Sequence, residues 1–210
     1  AVRIFKTYGN DAVQVMAENP YRLARDIRGI GFRTADGIAS RLGITADAPI
    51  RLRAGLQYTL LEATNSGHCG LPTAELLDLA AVLLTREETG GTVIAPQLVQ
   101  LEAALASELA EAALVADQLA GQSAIFLSHL HRGEASIAES LRALAEGQPP
   151  WQRSDLGAID PARAIPWVEQ RLALTLADSQ REAVEQALRS KVLVITGGPG
   201  VGKTTLIDAI

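Results

Sequence analysis

The nine residues IRGIGFRTA, at positions 27–35, decide the fold of the N-terminal region. Their Gly-Ile-Gly centre interrupts a helical pattern, and apolar residues recur at helical spacing on both sides of it. Gly43 ends the second helical stretch, as glycine often does just past a helix. The pattern predicts two short helices joined by a glycine turn, a helix–hairpin–helix unit that occupies residues 1–44.

The charge around this turn favours a nucleic acid as its partner. Residues 1–44 carry seven Lys or Arg and four Asp or Glu, a net charge of +3, although the whole chain of 210 residues has a net charge of −5. A glycine turn lets backbone N–H groups approach a DNA phosphate closely, and flanking arginines add attraction that does not depend on base sequence. The predicted DNA-contacting residues are Arg28, Gly29, Ile30, Gly31, Arg33 and Thr34. The alternative is an ordinary helical hairpin whose turn is purely architectural.

The pattern of residues 45–146 predicts a winged-helix-like α/β domain. Leucine and alanine stripes mark three successive helices, and two short apolar pieces separated by polar and glycine residues indicate a hairpin. Residues 45–150 have a net charge of −8, and the third helix carries Glu102, Glu108 and Glu111 but no Lys or Arg. Such a surface repels phosphate, so we expect a scaffold or a protein contact here instead of a second DNA reader.

A proline-rich stretch follows a last helix that is predicted over 134–146. Residues 147–171 are interpreted as an interdomain linker, in which Trp151 is expected to pin the linker to a domain surface. The prolines that motivate this interpretation are Pro149, Pro150, Pro161 and Pro166.

The segment GGPGVGKT, at positions 197–204, fits the phosphate-binding pattern G-x-x-x-x-G-K-[ST] in full. A strand is predicted over 192–195 before it and a helix after it, so residues 172–210 are expected to begin a RecA-like α/β motor domain. Lys203 would reach the β- and γ-phosphates of ATP and the Thr204 hydroxyl would ligate Mg²⁺, which makes these two the predicted catalytic residues. The predicted nucleotide-binding residues of the loop are Gly197, Gly198, Pro199, Gly200, Val201, Gly202, Lys203, Thr204 and Thr205.

Gln180 is a further candidate, at the start of a helix predicted near 178–189. A glutamine amide donates and accepts hydrogen bonds at once, which suits the edge of an adenine. Its position shortly before the phosphate loop favours that role over an ordinary solvated glutamine.

Five motifs, spread in order over nearly the whole chain, resemble the RecD-like DNA helicases, which include the alpha subunit of exodeoxyribonuclease V. They are YG at 8–9, ENPYRL at 18–23, GIGFRTAD at 29–36, GH at 67–68 and ITGGPGVGKTT at 195–205. Gln180 occupies the position of that family's adenine reader. The two ends of the chain carry the specific motifs, and the middle adds little.

The resemblance implies a superfamily 1 motor of DNA recombination and repair. Such a motor couples hydrolysis of ATP, with Mg²⁺, to 5′-to-3′ movement on DNA that is single-stranded or has a single-stranded overhang, and it has protein partners in a recombination complex. The chain stops six residues after Thr204, before any further motif of the motor. We therefore expect a fragment that is inactive as an ATPase by itself. The alternative is a non-catalytic DNA-binding or protein-interaction module attached to a different P-loop ATPase.

Composition narrows the cellular setting. The single cysteine, Cys69, suits a reducing compartment, and no apolar run is long enough to span a bilayer. We expect a cytoplasmic protein without membrane contact.

Overall fold

The computed structural model describes residues 2–87, 93–152 and 159–210, in two compact units, Ala1–Gly133 and Glu134–Ile210. Helices predominate, and two small antiparallel sheets accompany them. The expectation of a mainly helical chain is therefore confirmed. The predicted domain limits at 44, 146 and 171 stay predictions.

Four short helices open the first unit: α1 (Val2–Tyr8), α2 (Ala12–Glu18), α3 (Arg22–Asp26) and α4 (Phe32–Arg41). The Asn19 side chain accepts a hydrogen bond from the backbone N–H of Tyr21 at 3.0 Å, which sets the turn that leads into α3. The Tyr21 ring stacks on that of Phe32, with 5.5 Å between centroids. These contacts hold α3 against α4 around the predicted turn.

The rest of this unit follows the predicted order of three helices and a hairpin. A strand that the sequence analysis did not predict, β1, pairs antiparallel with β5, and β5 pairs with β4, which gives the sheet order β1-β5-β4. The last helix begins at Ser128, earlier than the predicted 134. The elements are α5 (Pro49–Asn65), β1 (Gly70–Pro72), α6 (Thr73–Leu84), β2 (Arg86–Glu87), β3 (Val93–Ile94), α7 (Leu98–Ala110), β4 (Leu114–Leu119), β5 (Gln122–Leu127) and α8 (Ser128–Ala145).

A buried ion pair joins α4 to α5 beside the leucine core. The Arg51 side chain is 2% exposed, and its Nε and Nη2 donate to the two carboxylate oxygens of Asp36 at 2.8 and 2.9 Å. It also donates to the carbonyl oxygens of Ala46 and Leu84, and the Tyr21 hydroxyl donates to Asp36 at 2.8 Å. Every strong hydrogen-bonding group of this pair thus has a partner, as a buried charge requires.

The second unit contains α9 (Pro161–Leu172), α10 (Asp178–Arg189) and α11 (Lys203–Ala209). Their apolar faces share a small core, and the Trp151 indole N–H donates to the carbonyl oxygen of Leu188 at 2.8 Å, a contact of the kind expected for this tryptophan. Among the described residues, none of the helices combines the length and the apolar character that crossing a membrane needs. The buried core residues are Ile165, Leu176, Val184, Leu206 and Ala209.

A helix lies within the predicted linker, and one expectation about this unit was wrong. Residues 161–171, placed in the linker, belong to α9, because Pro161 stands at the first helical position and Asp160 caps the helix by accepting from the N–H of Ala162. Residues 192–195 form no strand, and in the part of the chain that the structure describes they have no neighbouring strand to pair with. A β-strand exists through its ladder, so an apolar segment without a partner stays irregular.

Candidate functional sites

The loop at residues 197–202 has backbone geometry that glycine makes possible. Gly200 and Gly202 have φ angles of +78° and +79°, which side chains disfavour. A Cβ on Gly197 would lie 2.9 Å from Cγ2 of Val201, closer than packed carbons allow. The loop therefore curls tightly because three of its glycines permit it, and it leads directly into α11.

Lys203, the first residue of α11, folds back over this loop. Its ammonium nitrogen donates to the carbonyl oxygens of Gly197 and Gly198 at 2.7 and 2.6 Å. The charge is thus held at the concave side of the loop by two neutral acceptors. A phosphate oxygen is a stronger acceptor for an ammonium group, because a charge-assisted hydrogen bond exceeds a neutral one.

Gln180 reaches the same loop from the first turn of α10. Its Oε1 accepts from the backbone N–H of Ala177 at 2.9 Å, and its Nε2 donates to the carbonyl oxygen of Val201 at 3.2 Å. A Cβ on Gly202 would lie 2.9 Å from that Nε2. The amide thus binds the loop itself, a contact that no short-range sequence signal indicates because 21 residues separate the partners.

A cavity of about 470 Å³ brings these groups together. Its lining includes Gln180, Gly197, Val201 and Lys203, together with the apolar Leu206. The volume lies within the range of about 300–1,000 Å³ that small-molecule sites occupy. The donors, the glycine cradle and the cavity fit the phosphates and base of a nucleotide.

The remaining predicted residues of the loop lie at its surface. Pro199 and Gly200 form its outer turn, and the side chains of Thr204 and Thr205 are exposed on the first turn of α11. Thr204 follows Lys203 in sequence, and its side chain is exposed. A metal ion that accompanies a phosphate can therefore reach its hydroxyl.

An ion pair joins α9 to the first turn of α10. Glu169 of α9 accepts from the backbone N–H of Leu176 at 2.8 Å and from Nη2 of Arg181 at 2.8 Å. The hydrogen bond from Leu176 and the guanidinium of Arg181 hold the pKa of Glu169 below its usual value. The carboxylate is therefore charged at neutral pH and fixes the start of α10, which carries Gln180.

The hairpin turn between α3 and α4 is formed as the sequence predicts. Gly29 has a φ of +87°, and the N–H of Ile30 donates to the carbonyl oxygen of Ile27 at 3.0 Å. The N–H groups of Thr34 and Ala35 close the first turn of α4 on the carbonyl oxygen of Gly31. The first N–H groups of a helix have no partner inside it, so this end can donate to an anion.

The side chains of this turn face different ways. Arg28, Arg33 and Thr34 are exposed, whereas a Cβ on Gly31 would lie 3.3 Å from the Tyr58 hydroxyl on α5. Gly31 therefore serves close packing inside the protein. The exposed arginines are the cationic groups of this turn that an external anion can reach.

Comparisons with known proteins match the segments that contain the hairpin turn and the phosphate loop. Residues 1–70 match the family described as "ATP-dependent RecD2 DNA helicase HHH domain", and residues 180–210 match the family described as "AAA domain". The ATP-dependent RecD2 DNA helicase of Deinococcus radiodurans is 31% identical over 212 residues, which cover 100% of this chain and 28% of that protein. Along its whole length the chain is thus similar to a RecD2-type DNA helicase. In this RecD-like chain the two family matches coincide with the hairpin turn and the phosphate loop.

A second type of relative is more partial. The RecBCD enzyme subunit RecD of Mycobacterium tuberculosis, in two strains, is 36% identical over 83 residues, which cover 40% of this chain and 12% of that protein. The RecD-like chain thus spans about a quarter or less of the length of the curated relatives that it matches. The match to the Deinococcus protein covers the whole chain, and therefore both units.

Proposed function

We propose that this RecD-like chain supplies the nucleotide phosphate-binding loop and a DNA-backbone-binding turn to an ATP-dependent DNA helicase that moves 5′ to 3′. The observation that carries the proposal is the meeting of Lys203 and Gln180 in one cavity behind a complete phosphate-binding motif. The AAA domain match over residues 180–210 supports it independently.

Different groups of the loop bind different parts of ATP. Backbone N–H groups of the glycine cradle donate to phosphate oxygens, and the Lys203 ammonium exchanges its two carbonyl acceptors for β- and γ-phosphate oxygens. The Thr204 hydroxyl would ligate the accompanying Mg²⁺. The Gln180 amide has a second N–H and a second oxygen lone pair beside its two loop contacts, and these bind the adenine edge. Bound ATP supplies the phosphoryl group whose transfer to water releases the free energy for movement.

The hairpin turn binds the DNA strand along which the helicase moves. Arg28 and Arg33, with the N–H groups at the start of α4, bind the phosphates of DNA that is single-stranded or has a single-stranded overhang. Contacts of this kind fix the strand without reading its sequence. The setting that we propose is DNA recombination or repair in the cytoplasm, with protein partners such as those of a RecBCD-type complex, which the name of the Mycobacterium relative suggests.

The alternative, a module attached to an unrelated P-loop ATPase, is not favoured. The similarity to the Deinococcus helicase covers the whole chain, and so includes the hairpin region, the winged-helix-like region and the phosphate loop. A chance fusion of a hairpin unit to another ATPase would not produce one relative that covers the whole chain.

The nucleotide site is tested by binding of a fluorescent ATP analogue with Mg²⁺ to the chain of residues 1–210. Hydrogen bonds to charged groups contribute roughly 1.5–3 kcal/mol, so we expect Lys203→Ala to weaken binding about tenfold to a hundredfold. Lys191→Ala is the matched control, because Lys191 donates to the carbonyl oxygen of Glu146, away from the loop. Equal affinity of the Lys203 variant and the control would contradict the assignment.

The DNA contact is tested by fluorescence anisotropy with two unrelated single-stranded oligonucleotides over a salt series. The double variant Arg28→Glu with Arg33→Glu is expected to lose affinity about equally for both sequences, since backbone contacts carry no sequence information. The control with the same change of net charge is Arg132→Glu with Arg142→Glu, on α8. Unchanged affinity in the first pair, or an equal loss in both pairs, would reduce the turn to an architectural element.

A further inference from the structure

The contact of α1 with the glycine turn points to a part of the DNA surface that lies outside the hairpin. We propose that Arg3, on α1, is a third phosphate-binding cation beside Arg28 and Arg33. The inference rests on the proposed DNA contact of the turn and extends it to a segment 25 residues away in sequence.

Arg3 lies directly on the turn. Its Nη1 is 3.2 Å from the position that a Cβ on Gly29 would take, and Gly29 has no side chain to keep the guanidinium away. The Arg3 side chain is exposed, as are those of Arg28 and Arg33 on either side of the glycines. Three exposed arginines therefore lie at or beside the glycine turn.

Two residues hold α1 in this position. Ile4 packs against the core of the first unit, and Tyr8, one helical turn later, donates its hydroxyl to the Asp26 carboxylate of α3 at 2.9 Å. Burial and this hydrogen bond raise the pKa of Tyr8 to about 12, so the hydroxyl keeps its proton at neutral pH. Arg3 precedes Ile4 by one residue and is thereby fixed beside α3.

The arginines of this region differ in whether a carboxylate already neutralises them. Nε of Arg25 lies 2.7 Å from Asp26, and Nε of Arg22 lies 3.5 Å from the same carboxylate. Over the described ranges 2–87, 93–152 and 159–210, none of Arg3, Arg28 and Arg33 has a carboxylate within 4.0 Å. Their charge is available to an external anion.

The pattern of these charges fits a polyanion. A strand of DNA presents phosphates at regular intervals, and each cation that neutralises one phosphate of a single strand adds about 0.7 to the salt slope of binding. Arg22 and Arg25 contribute to the sequence-level charge of +3 in residues 1–44 but not to this free charge. Among the described residues, the proposed DNA-binding surface is thus defined by the arginines that have no carboxylate partner. A count of charged residues does not identify them.

The experiment compares Arg3→Ala with Arg25→Ala in the chain of residues 1–210, by anisotropy with a single-stranded oligonucleotide over a salt series. Both variants remove one exposed arginine from the same region. We expect Arg3→Ala to lower affinity roughly threefold to tenfold at low salt and to reduce the salt slope by about 0.7, with Arg25→Ala near wild type. Circular dichroism melts of both variants establish that they fold, and Arg3→Lys is expected to retain the wild-type salt slope.

The outcomes separate this inference from the proposed function. If the Arg28→Glu, Arg33→Glu pair loses affinity while Arg3→Ala binds like wild type, the inference about α1 is wrong and the turn remains a DNA contact. If that pair binds like wild type, the proposed function of the turn fails. Equal losses in Arg3→Ala and Arg25→Ala would show a general charge effect and would overturn the role of Arg3.

Discussion

Arg51 joins the hairpin unit to the helical core through a buried ion pair. It bonds both oxygens of Asp36 and two backbone carbonyls while 2% of its side chain is exposed. Burial alone would raise the pKa of Asp36, but the hydrogen bonds from Arg51 and Tyr21 more than offset it, so the pKa lies below its usual value. No local signal indicates this pair, because 15 residues separate the partners.

Arg51→Met is expected to lower the free energy of unfolding by about 3–5 kcal/mol, the usual cost of removing one partner of a buried ion pair. An exposed substitution, Arg41→Met, is expected to change it by less than about 0.5 kcal/mol. Urea unfolding at neutral pH measures both. A loss in the Arg51 variant no larger than that of the control would show that the pair contributes nothing.

The same pair has a defined pH dependence. A carboxyl whose pKa is lower in the folded state stabilises the protein above the unfolded-state value of about 3.9, and this contribution disappears as the pH falls through the folded-state value. The difference in unfolding free energy between wild type and Arg51→Met is therefore expected to shrink below about pH 4. A difference that stays constant into acid would contradict the role of the charged Asp36.

At the scale of elements, local patterns predicted the helices well and the unpaired segments poorly. The periodicity around residues 27–35 predicted α3, the turn and α4, because apolar spacing and glycine are local signals. The strand expected over 192–195 failed because a strand needs a partner that the local sequence cannot supply. β1 was not predicted, because its three residues form a strand only through their pairing with the distant β5.

The prolines of the predicted linker illustrate a different limit of local patterns. Their density over 147–166 indicated a linker, yet Pro161 starts a helix and Pro166 lies inside it. A proline in the first turn lacks an N–H that the helix would leave unpaired anyway, so it favours a helix start. The position of a proline relative to a capping residue such as Asp160 therefore carries more information than the number of prolines.

In the candidate sites, the sequence motif predicted which residues bind but not the tertiary contacts that position them. The motif predicted Lys203 and the glycines, because the spacing itself encodes the loop. Two contacts depend on tertiary packing and could not be predicted from local sequence. They are the hydrogen bond between Gln180 and Val201 and the contact of Arg3 with Gly29. Sequence therefore predicts which residues do chemistry more readily than which residues position them.

At the scale of the whole molecule, the 210 residues contain the cradle for phosphates but few of the groups that transfer them. Phosphoryl transfer by P-loop enzymes also needs an acidic ligand for Mg²⁺, a residue that orients water and, in many of them, an arginine that stabilises the transition state. After Thr204 the sequence supplies one acidic residue, Asp208, and no arginine. Binding and hydrolysis should therefore separate in this chain.

We expect the chain of residues 1–210 to bind ATP with Mg²⁺ yet to hydrolyse it no faster than its Lys203→Ala variant, with or without single-stranded DNA. The reason is that Lys203 and the glycine cradle hold the phosphates, whereas this segment of 210 residues carries no motif for the acidic Mg²⁺ ligand or for the arginine of phosphoryl transfer. Release of inorganic phosphate, measured beside binding of the fluorescent analogue, checks both halves of the statement. DNA-stimulated phosphate release that Lys203→Ala abolishes would show that the chemistry is complete within these residues, and the acidic and basic groups responsible would then have to come from the first unit or from the surroundings of the loop already described.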